Sequence, residues 1–495
     1  MMVPMSGHTG VTLTHLVESL GIGPWAISCS TASGVSAPAS SSAGAEMQLI
    51  GATHDSRIVG PGMLFCCIVG SRRDGHHFAQ QAVERGAAAL LVEHELITRP
   101  AVPQIIVVNS REAMGPAASI IYGCPSDQLT MIGITGTNGK TSTAHLLGAV
   151  LDEAGLRVEV VGTLTQSRTT PEATDLQAQL AGFVAAGITH VVMEVTSHAL
   201  VLNRVDGIHF RVVVFTNLSQ DHLDFHETME QYFRAKAQLF TTMRADEAVV
   251  NADDPHGRLL LAAAQIPTTS FQLSLATDVH VGVRSSFRWH AVNVVLRLGG
   301  SFSVANALAA ATVAERLGIG ADVVAAGLGR AEVAGRFEPV DAGQTFTVLV
   351  DYAHTPDALQ RVLEAARAIT AQGRRLLVVF GCGGDRDAGK RSQMGAIATN
   401  LADLAIVTSD NPRTEDPMAI IDQVVSGVTR RDVLVVEPDR RSAIEQALQQ
   451  ARTGDVVVLA GKGHEAGQDI NGQILPFDDR VVAHAILEAI QGGSR

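Results

Sequence analysis

A chain of 495 residues is too long for one hydrophobic core, and at about 100 to 200 residues per domain it predicts three. With 46% hydrophobic residues it is expected to fold, and a formal net charge of −13 excludes a general nucleic-acid-binding surface, so an anionic ligand must be met by local basic groups. No apolar run approaches the ~20 residues of a membrane span, and the five cysteines (Cys29, Cys66, Cys67, Cys124, Cys382) form no C-x-x-C pair and no metal-ligand spacing. That odd count, with no secretory apolar segment near Met1, predicts a reducing cytoplasm and no membrane partner.

Residues 1–20 carry a short amphipathic pattern (Leu13, Leu16, Val17, Leu20), and Ser28 to Ala45, rich in Ser, Ala and Gly, predicts a loop or a poorly ordered insertion. From Leu49 the pattern tightens. Asp55-Ser56-Arg57 precedes the apolar run Met63 to Val69, and Asp74-Gly75-His76 precedes a helix ending near Gly86. Ala87 to Val92 and Gln104 to Val108 read as buried strands, which makes 1–125 a small α/β domain.

The chain then reads MIGITGTNGKTST from Met131 to Thr143: a short apolar run, a turn through Gly136, Asn138 and Gly139, and a helix-forming stretch from Ala144 to Ala154. A strand, a glycine turn and a helix in that order leave backbone N–H groups and the positive end of the helix dipole facing an anion. The P-loop pattern G-x-x-x-x-G-K-[ST] is met only in part, since its first glycine falls on Ile134, so GTNGKT is a variant loop in which Lys140 supplies a charge and Thr141 a hydroxyl for Mg²⁺.

Ile188 to Val195 is a strand ending in Glu194, whose carboxylate at the end of an apolar strand is a Mg²⁺ candidate. After the strand Val212 to Phe215 come His222 and His226, four residues apart. Without a third soft ligand nearby they do not predict zinc. Tyr232 to Phe240 places Lys236 on an amphipathic helix, and the second domain is bounded as 126–334.

In the third domain, 335–495, strands at Val348 to Val350, Leu376 to Phe380, Leu404 to Val407 and Val456 to Leu459 each run into a polar loop. A dinucleotide fingerprint from Gly381 fails because Arg386 stands where its last glycine belongs. Alternating strands and helices predict parallel, doubly wound sheets: a central P-loop ATPase-type sheet, an N-terminal α/β substrate domain and a C-terminal Rossmann-like domain. Only four residues of the chain are lysines (Lys140, Lys236, Lys390, Lys462), against a large excess of arginine, which marks each as a place where a compact ammonium or a nucleophilic amine is required.

Taken together, GTNGKT, MEVTSHAL, TNLSQDHLDFH, the Lys236 helix, NADD at Asn251 to Asp254, NALAA at Asn306 to Ala310, GRFE at Gly335 to Glu338 and DYAHTP at Asp351 to Pro356 stand in an order that resembles the Mur ligase family from about Leu49 to Val482. DSR at Asp55 to Arg57, TTPEA at Thr169 to Ala173 and DNPR at Asp410 to Arg413 are most similar to the members that add a third amino acid to UDP-N-acetylmuramoyl-L-alanyl-D-glutamate. The resemblance implies a monomeric ATP-dependent amide ligase of peptidoglycan synthesis that activates a glutamate carboxylate as an acyl phosphate, with Mg²⁺ as cofactor.

It also implies roles. Gly136, Thr137, Asn138, Gly139, Lys140, Thr141 and Ser142 would hold the ATP phosphates, with Asn306, Arg336 and Asp351 as further nucleotide contacts. Thr141 and Glu194 would share one Mg²⁺, and His222 and Lys236, the latter as a carbamate (N6-carboxylysine), would serve a second. A carbamate needs a neutral amine, which lysine can supply and arginine cannot. Ser56 would meet the uridine side, Thr169, Thr170, Thr196 and Arg204 the muramoyl dipeptide, and contacts from Ser71 to Arg73 are left open. Thr196 stands where serine is usual and Leu202 where some members have glutamine.

Arg413 offers a planar fork suited to the extra carboxylate of meso-diaminopimelate, with Arg386, Asp410, Asn411, Pro412, Gly461 and Glu465 as the other expected contacts. L-lysine as the amine, a folylpolyglutamate-synthase-type ligase and a non-catalytic nucleotide-binding protein remain the alternatives.

Overall fold

The computed structural model describes residues 10–22, 27–30, 36–38, 46–70, 73–96 and 102–492. Three six-stranded sheets follow one another along the chain, each with its own apolar packing. The first has the order Ser36–Pro38, Ile27–Ser30, Gln104–Ile106, Ala87–Val92, Met63–Cys66, Gly51–Thr53. It is parallel from Gln104–Ile106 onward and antiparallel in its first two pairings.

Those two antiparallel strands correct the expectation of a loop over Ser28 to Ala45, because Ser28–Ser30 and Ser36–Pro38 pair with each other at the sheet edge. Residues 31–35 and 39–45 of that segment lie outside the described residues, as do Ser71 and Arg72. Serine and alanine hid the pairing from a reading based on hydrophobic periodicity.

The central sheet is wholly parallel, in the order Val158–Val161, His190–Glu194, Thr130–Thr135, Phe210–Phe215, Ala245–Asn251, Thr268–Phe271. Its strands are apolar on both faces because helices cover both, as a parallel sheet requires. Helix Lys140–Glu153 packs on one face with Ser301–Arg316 and Ala321–Arg330, so the strand Thr130–Thr135 delivers the glycine turn to the carboxyl edge of the sheet, where ligands of open α/β sheets bind. A three-stranded antiparallel sheet, Thr277–His280, Ser286–Trp289 and Val292–Val295, interrupts the alternation expected there.

The third sheet has the order Glu338–Pro339, Thr347–Asp351, Val456–Ala460, Leu376–Phe380, Leu404–Val407, Leu434–Val436, parallel except for the short first strand. A two-stranded hairpin, Gly467–Ile470 with Gln473–Pro476, follows its central strand and is a second departure from a purely doubly wound plan. Among the described residues no helix is long and apolar enough to cross a membrane.

Candidate functional site

The glycine turn is held from the neighbouring strand end. Asn217 Oδ1 accepts from Asn138 N–H at 2.9 Å, Asn217 Nδ2 and Thr216 Oγ1 donate to Asn138 O at 3.0 and 2.7 Å, and Thr137 N–H donates to Asn217 O at 2.9 Å. Gly136 and Gly139 have φ of 147° and 85°, and a Cβ would lie 1.9 Å from Thr216 Oγ1 at the first and 2.4 Å from Asn306 Oδ1 at the second. Both glycines are therefore fixed by the close approach of side chains as well as by backbone angle.

Lys140 Nζ donates to Gly136 O and Thr137 O, each at 2.8 Å. Burial lowers its pKa, against the opposing pull of the Glu194 and Asp221 carboxylates. Thr141 Oγ1 donates to Glu194 Oε2 at 3.0 Å, and Glu194 Oε1 accepts from Thr163 N–H at 2.7 Å. Glu194 is 1% exposed and sits at the strand end where the sequence placed it.

Lys236 is 1% exposed on the helix Met229–Ala237. Its Nζ donates to the same Gly136 O at 2.8 Å and lies 4.6 Å from the centre of the Tyr232 ring. Burial, and then the nearby Lys140 ammonium, push its pKa well below the ordinary lysine range. His222 adopts a left-handed φ of 55°, and burial pushes its pKa down to about 3. Burial opposes the charge of its neighbour Asp221, but His222, His354 and Lys390 outweigh it and hold that carboxyl at about 2.

The third domain closes over this edge. Arg336 Nη2 reaches Thr141 Oγ1 at 3.4 Å, its guanidinium lies 4.5 Å from the centre of the Tyr352 ring, and Asn138 Nδ2 donates to Asp357 Oδ2 at 2.9 Å. Asp351 accepts from Phe337 N–H at 2.7 Å and Ala353 N–H at 2.8 Å, so both its oxygens also serve the local backbone, and burial raises its pKa. Asn306 reaches the turn from helix Ser301–Arg316.

One cleft of about 530 Å³ collects these groups. It is lined by Thr137 to Ser142, Glu194, His222, Asn306, Arg336 and Asp351, by Thr169, Thr170, Thr196 and Arg204, and by Arg386, Asp410, Asn411, Arg413, Gly461 and Glu465. Thr170 Oγ1 donates to Glu194 O at 2.8 Å, Thr169 and Thr163 share a hydrogen bond of 3.0 Å, and Thr196 Oγ1 caps its helix by accepting from Ala199 N–H at 3.1 Å. Arg204 pairs with the buried Glu172 at 2.8 Å, which Arg168 and Arg111 also grip at 2.7 and 3.4 Å.

Four expected site residues do not line the cleft. Ser56 lies in the first domain and donates to Gln81 Oε1 at 3.0 Å. Gly136 and Lys236 connect to it only through the Gly136 carbonyl, which Lys236 shares with the cleft-lining Lys140. Pro412 shapes the turn, its carbonyl accepting from Glu415 N–H at 3.1 Å. Glu465, expected to face a ligand ammonium, already holds Lys462 Nζ at 3.1 Å and Asn411 Nδ2 at 2.8 Å.

Asp221, His198, Tyr352 and His354 line the cleft and were not foreseen, and Lys390, marked by the scarcity of lysine but given no role, lines it too. For Asp221 and His198 the signal was present, in DHLDFH and in MEVTSHAL.

Among the described residues no three His, Cys, Asp or Glu side chains group as a metal site by themselves. The donors at the turn are a carboxylate and a hydroxyl 3.0 Å apart, hard oxygens of the kind Mg²⁺ accepts when phosphate and water complete its shell. These residues fit that ion.

Three α/β domains, two of them meeting at a phosphate-type turn with a carboxylate and basic groups facing it, define a nucleotide-dependent ligase architecture. The family comparisons agree along the chain: residues 49–122 match the Mur ligase family catalytic domain, 134–314 the Mur ligase middle domain, and 335–463 the Mur ligase glutamate ligase domain. Two relatives named UDP-N-acetylmuramoyl-L-alanyl-D-glutamate--2,6-diaminopimelate ligase are each 44% identical. The one from Syntrophomonas wolfei aligns over 89% of this chain and 95% of its own, and the one from Streptomyces avermitilis over 90% and 94%.

A solved structure of an enzyme with that name superposes with a TM-score of 0.66 at 31% identity, covering 98% of this chain and all of the other. The ligase MurF of Thermotoga maritima in complex with ADP shares the fold, with a TM-score of 0.63 at 19% identity over 89% of this chain and 98% of its own. The chain belongs to the Mur ligase family, and it is an ATP-dependent ligase.

Proposed function

We propose that this ligase joins meso-diaminopimelate to the glutamyl carboxylate of UDP-N-acetylmuramoyl-L-alanyl-D-glutamate at the expense of ATP, in the cytoplasm and as a monomer. The observation that carries the reading is that one cleft is lined by the Lys140 turn, by the Asp410 to Arg413 turn, and by Thr169, Thr170 and Arg204. Three reactants of the required chemistry, a triphosphate, an anionic peptide and a diamino dicarboxylate, therefore have separate polar walls in one space. With divisions at 126 and 335 the first two walls would belong to the second domain and the last to the third, leaving the first domain, with Ser56, to the uridine end.

Phosphoryl transfer asks for positioning and charge neutralisation more than for covalent help. Lys140, the turn N–H groups and the start of helix Lys140–Glu153 would hold the phosphates, and Arg336, steadied on Tyr352, would meet charge on the group in transfer. Thr141 and Glu194 would hold one Mg²⁺, with His222 and the carbamate of Lys236 serving a second. Bound there, Mg²⁺ supplies neutralisation of phosphate charge.

The depressed basicity of Lys236 supports the carbamate, since the uncharged amine is the form that takes up carbon dioxide. Arg413 and Arg386 would take the distal carboxylate of the amine, and the amine nitrogen would then displace phosphate from the acyl phosphate to leave an amide.

The folylpolyglutamate-type alternative is favoured by fold alone. The synthase from Mycobacterium tuberculosis superposes with a TM-score of 0.58 at 19% identity. ADP release with ATP and the UDP-muramoyl dipeptide, measured separately with meso-diaminopimelate, with L-lysine, and with a folate plus glutamate, tests the reading. Turnover is expected with the first; turnover only with L-lysine or only with the folate mixture overturns it.

A further inference from the structure

Lys462 is one of four lysines in the chain, and it is 0% exposed. It follows the strand Val456–Ala460, immediately after Gly461. Its ammonium has three N–H donors, and all three are used: Gly467 O at 2.6 Å, Glu465 Oε2 at 3.1 Å and Asn411 Oδ1 at 3.2 Å. The Asp410 carboxylate stands 3.7 Å away, near enough for attraction and beyond hydrogen-bond reach. Asp410 is 5% exposed, and its Oδ1 finds no hydrogen-bond donor among the described residues.

Lys462 thus ties together, from beneath, the groups that the cleft presents to the incoming amine. Asn411 bridges from it to Glu465 at 2.8 Å and also accepts from Asp469 N–H at 3.0 Å. The hairpin after Gly467 completes the frame: Gln468 Nε2 donates to Asp410 O at 2.6 Å, Arg413 N–H to Asp469 O at 3.0 Å and Asn471 N–H to Arg413 O at 2.7 Å. Without the ammonium, two carboxylates would face each other in a buried space with no cation between them, and Glu465, the more exposed of the two, would turn toward water.

We propose that Lys462 is a positioning residue that sets acceptor specificity. It fixes Asp410, Asn411 and Glu465 as an array with one uncompensated negative charge, beside the guanidinium groups of Arg413 and Arg386. An array of that polarity reads the zwitterionic end of a diamino dicarboxylate, with ammonium against Asp410 and Glu465 and carboxylate against the arginines. Lysine is required because a planar guanidinium cannot direct three donors from a single nitrogen to three separate acceptors. The inference rests on the amine specificity proposed above.

The test compares wild type and Lys462→Met, which keeps the stem and removes the charge, by ADP release with each of the three substrates varied in turn. Wild-type turnover with meso-diaminopimelate is the control for the reading of function, and its absence refutes that reading before Lys462 is at issue. With the control satisfied, KM for diaminopimelate is expected to rise about tenfold or more, with KM for ATP and for the UDP-muramoyl dipeptide within about twofold.

In a Glu465→Gln background Lys462→Met should add far less, because the lysine acts through that carboxylate. An unchanged KM for diaminopimelate, an equal rise in all three KM values, or additive losses in the double variant overturn the proposal. Should Lys462→Met fail to fold, Lys462→Arg, which keeps the charge and moves its donors, takes its place with the same expected rise and the same refuting results.

Discussion

Replacing Asp479 by alanine isolates the most deeply buried ion pair of the third domain. Arg440 and Asp479 are both 0% exposed, joined by two parallel bonds of 2.8 and 2.6 Å, and Arg440 also donates to Ala460 O at 2.9 Å. Asp479→Ala leaves a guanidinium in the core whose remaining hydrogen bonds go to the Ala460 and Ser409 carbonyls, and breaking a buried pair from one side costs about 3 to 5 kcal/mol. For a domain of this size that corresponds to a fall in melting temperature of roughly 6 to 20 °C.

Calorimetry on Asp479→Ala and on the double variant Arg440→Met/Asp479→Leu separates the pair from its surroundings. The double variant should recover most of the loss, because apolar groups of similar volume carry no desolvation penalty. A single-variant cost under about 1 kcal/mol, or a double variant no better than the single, would refute the reasoning. Arg440 contacts the ends of two strands, at Ala460 and Ser409, directly before Gly461 and Asp410. Asp479→Ala is therefore also expected to raise KM for the amine more than KM for ATP.

Lys236→Arg should reduce ADP release about 100-fold or more with the melting temperature little changed, since the guanidinium keeps a charge but cannot become an oxygen ligand; near-wild-type turnover would exclude the carbamate. Glu172→Gln removes the carboxylate that three arginines share, so KM for the UDP-muramoyl dipeptide is expected to rise about tenfold while KM for ATP stays put, and equal changes in both would argue for a global defect.

His226 shares a 2.8 Å hydrogen bond with Ser197, and burial, its main cause, lowers its pKa to about 4. The unfolded chain therefore binds a proton at this site between pH 6.5 and 4 that the folded chain does not, so stability is present above that window and is lost as pH falls through it. The contribution is about 2 kcal/mol between pH 7 and 5, and urea unfolding of His226→Gln should show a correspondingly weaker pH dependence.

Much of the site was legible because its chemistry is concentrated at strand ends. A glycine turn, an acidic residue closing an apolar strand and lysines kept where arginine is otherwise used are local signals, and Lys140, Glu194 and Lys236 carry them. Which groups would be drawn beneath the surface was not legible. Lys462 and Glu465 are three residues apart in sequence, yet their partnership with Asn411 depends on two strands of one sheet, separated by Leu376–Phe380, ending at the same edge. Tyr352 under Arg336 and Asn217 behind Asn138 likewise follow from tertiary packing alone. The antiparallel pieces at Ser36–Pro38, Thr277–Val295 and Gly467–Pro476 escaped because strands of three or four residues are too short to show hydrophobic alternation.

Gly136 O accepts from both Lys140 and Lys236 at 2.8 Å. A single peptide plane is thus shared by the amine of the glycine turn and the amine of the buried helix. An alteration of charge or length at position 236 is expected to shift that plane and to be felt at position 140. Nucleotide affinity consequently reports on the hidden amine before a single turnover has taken place.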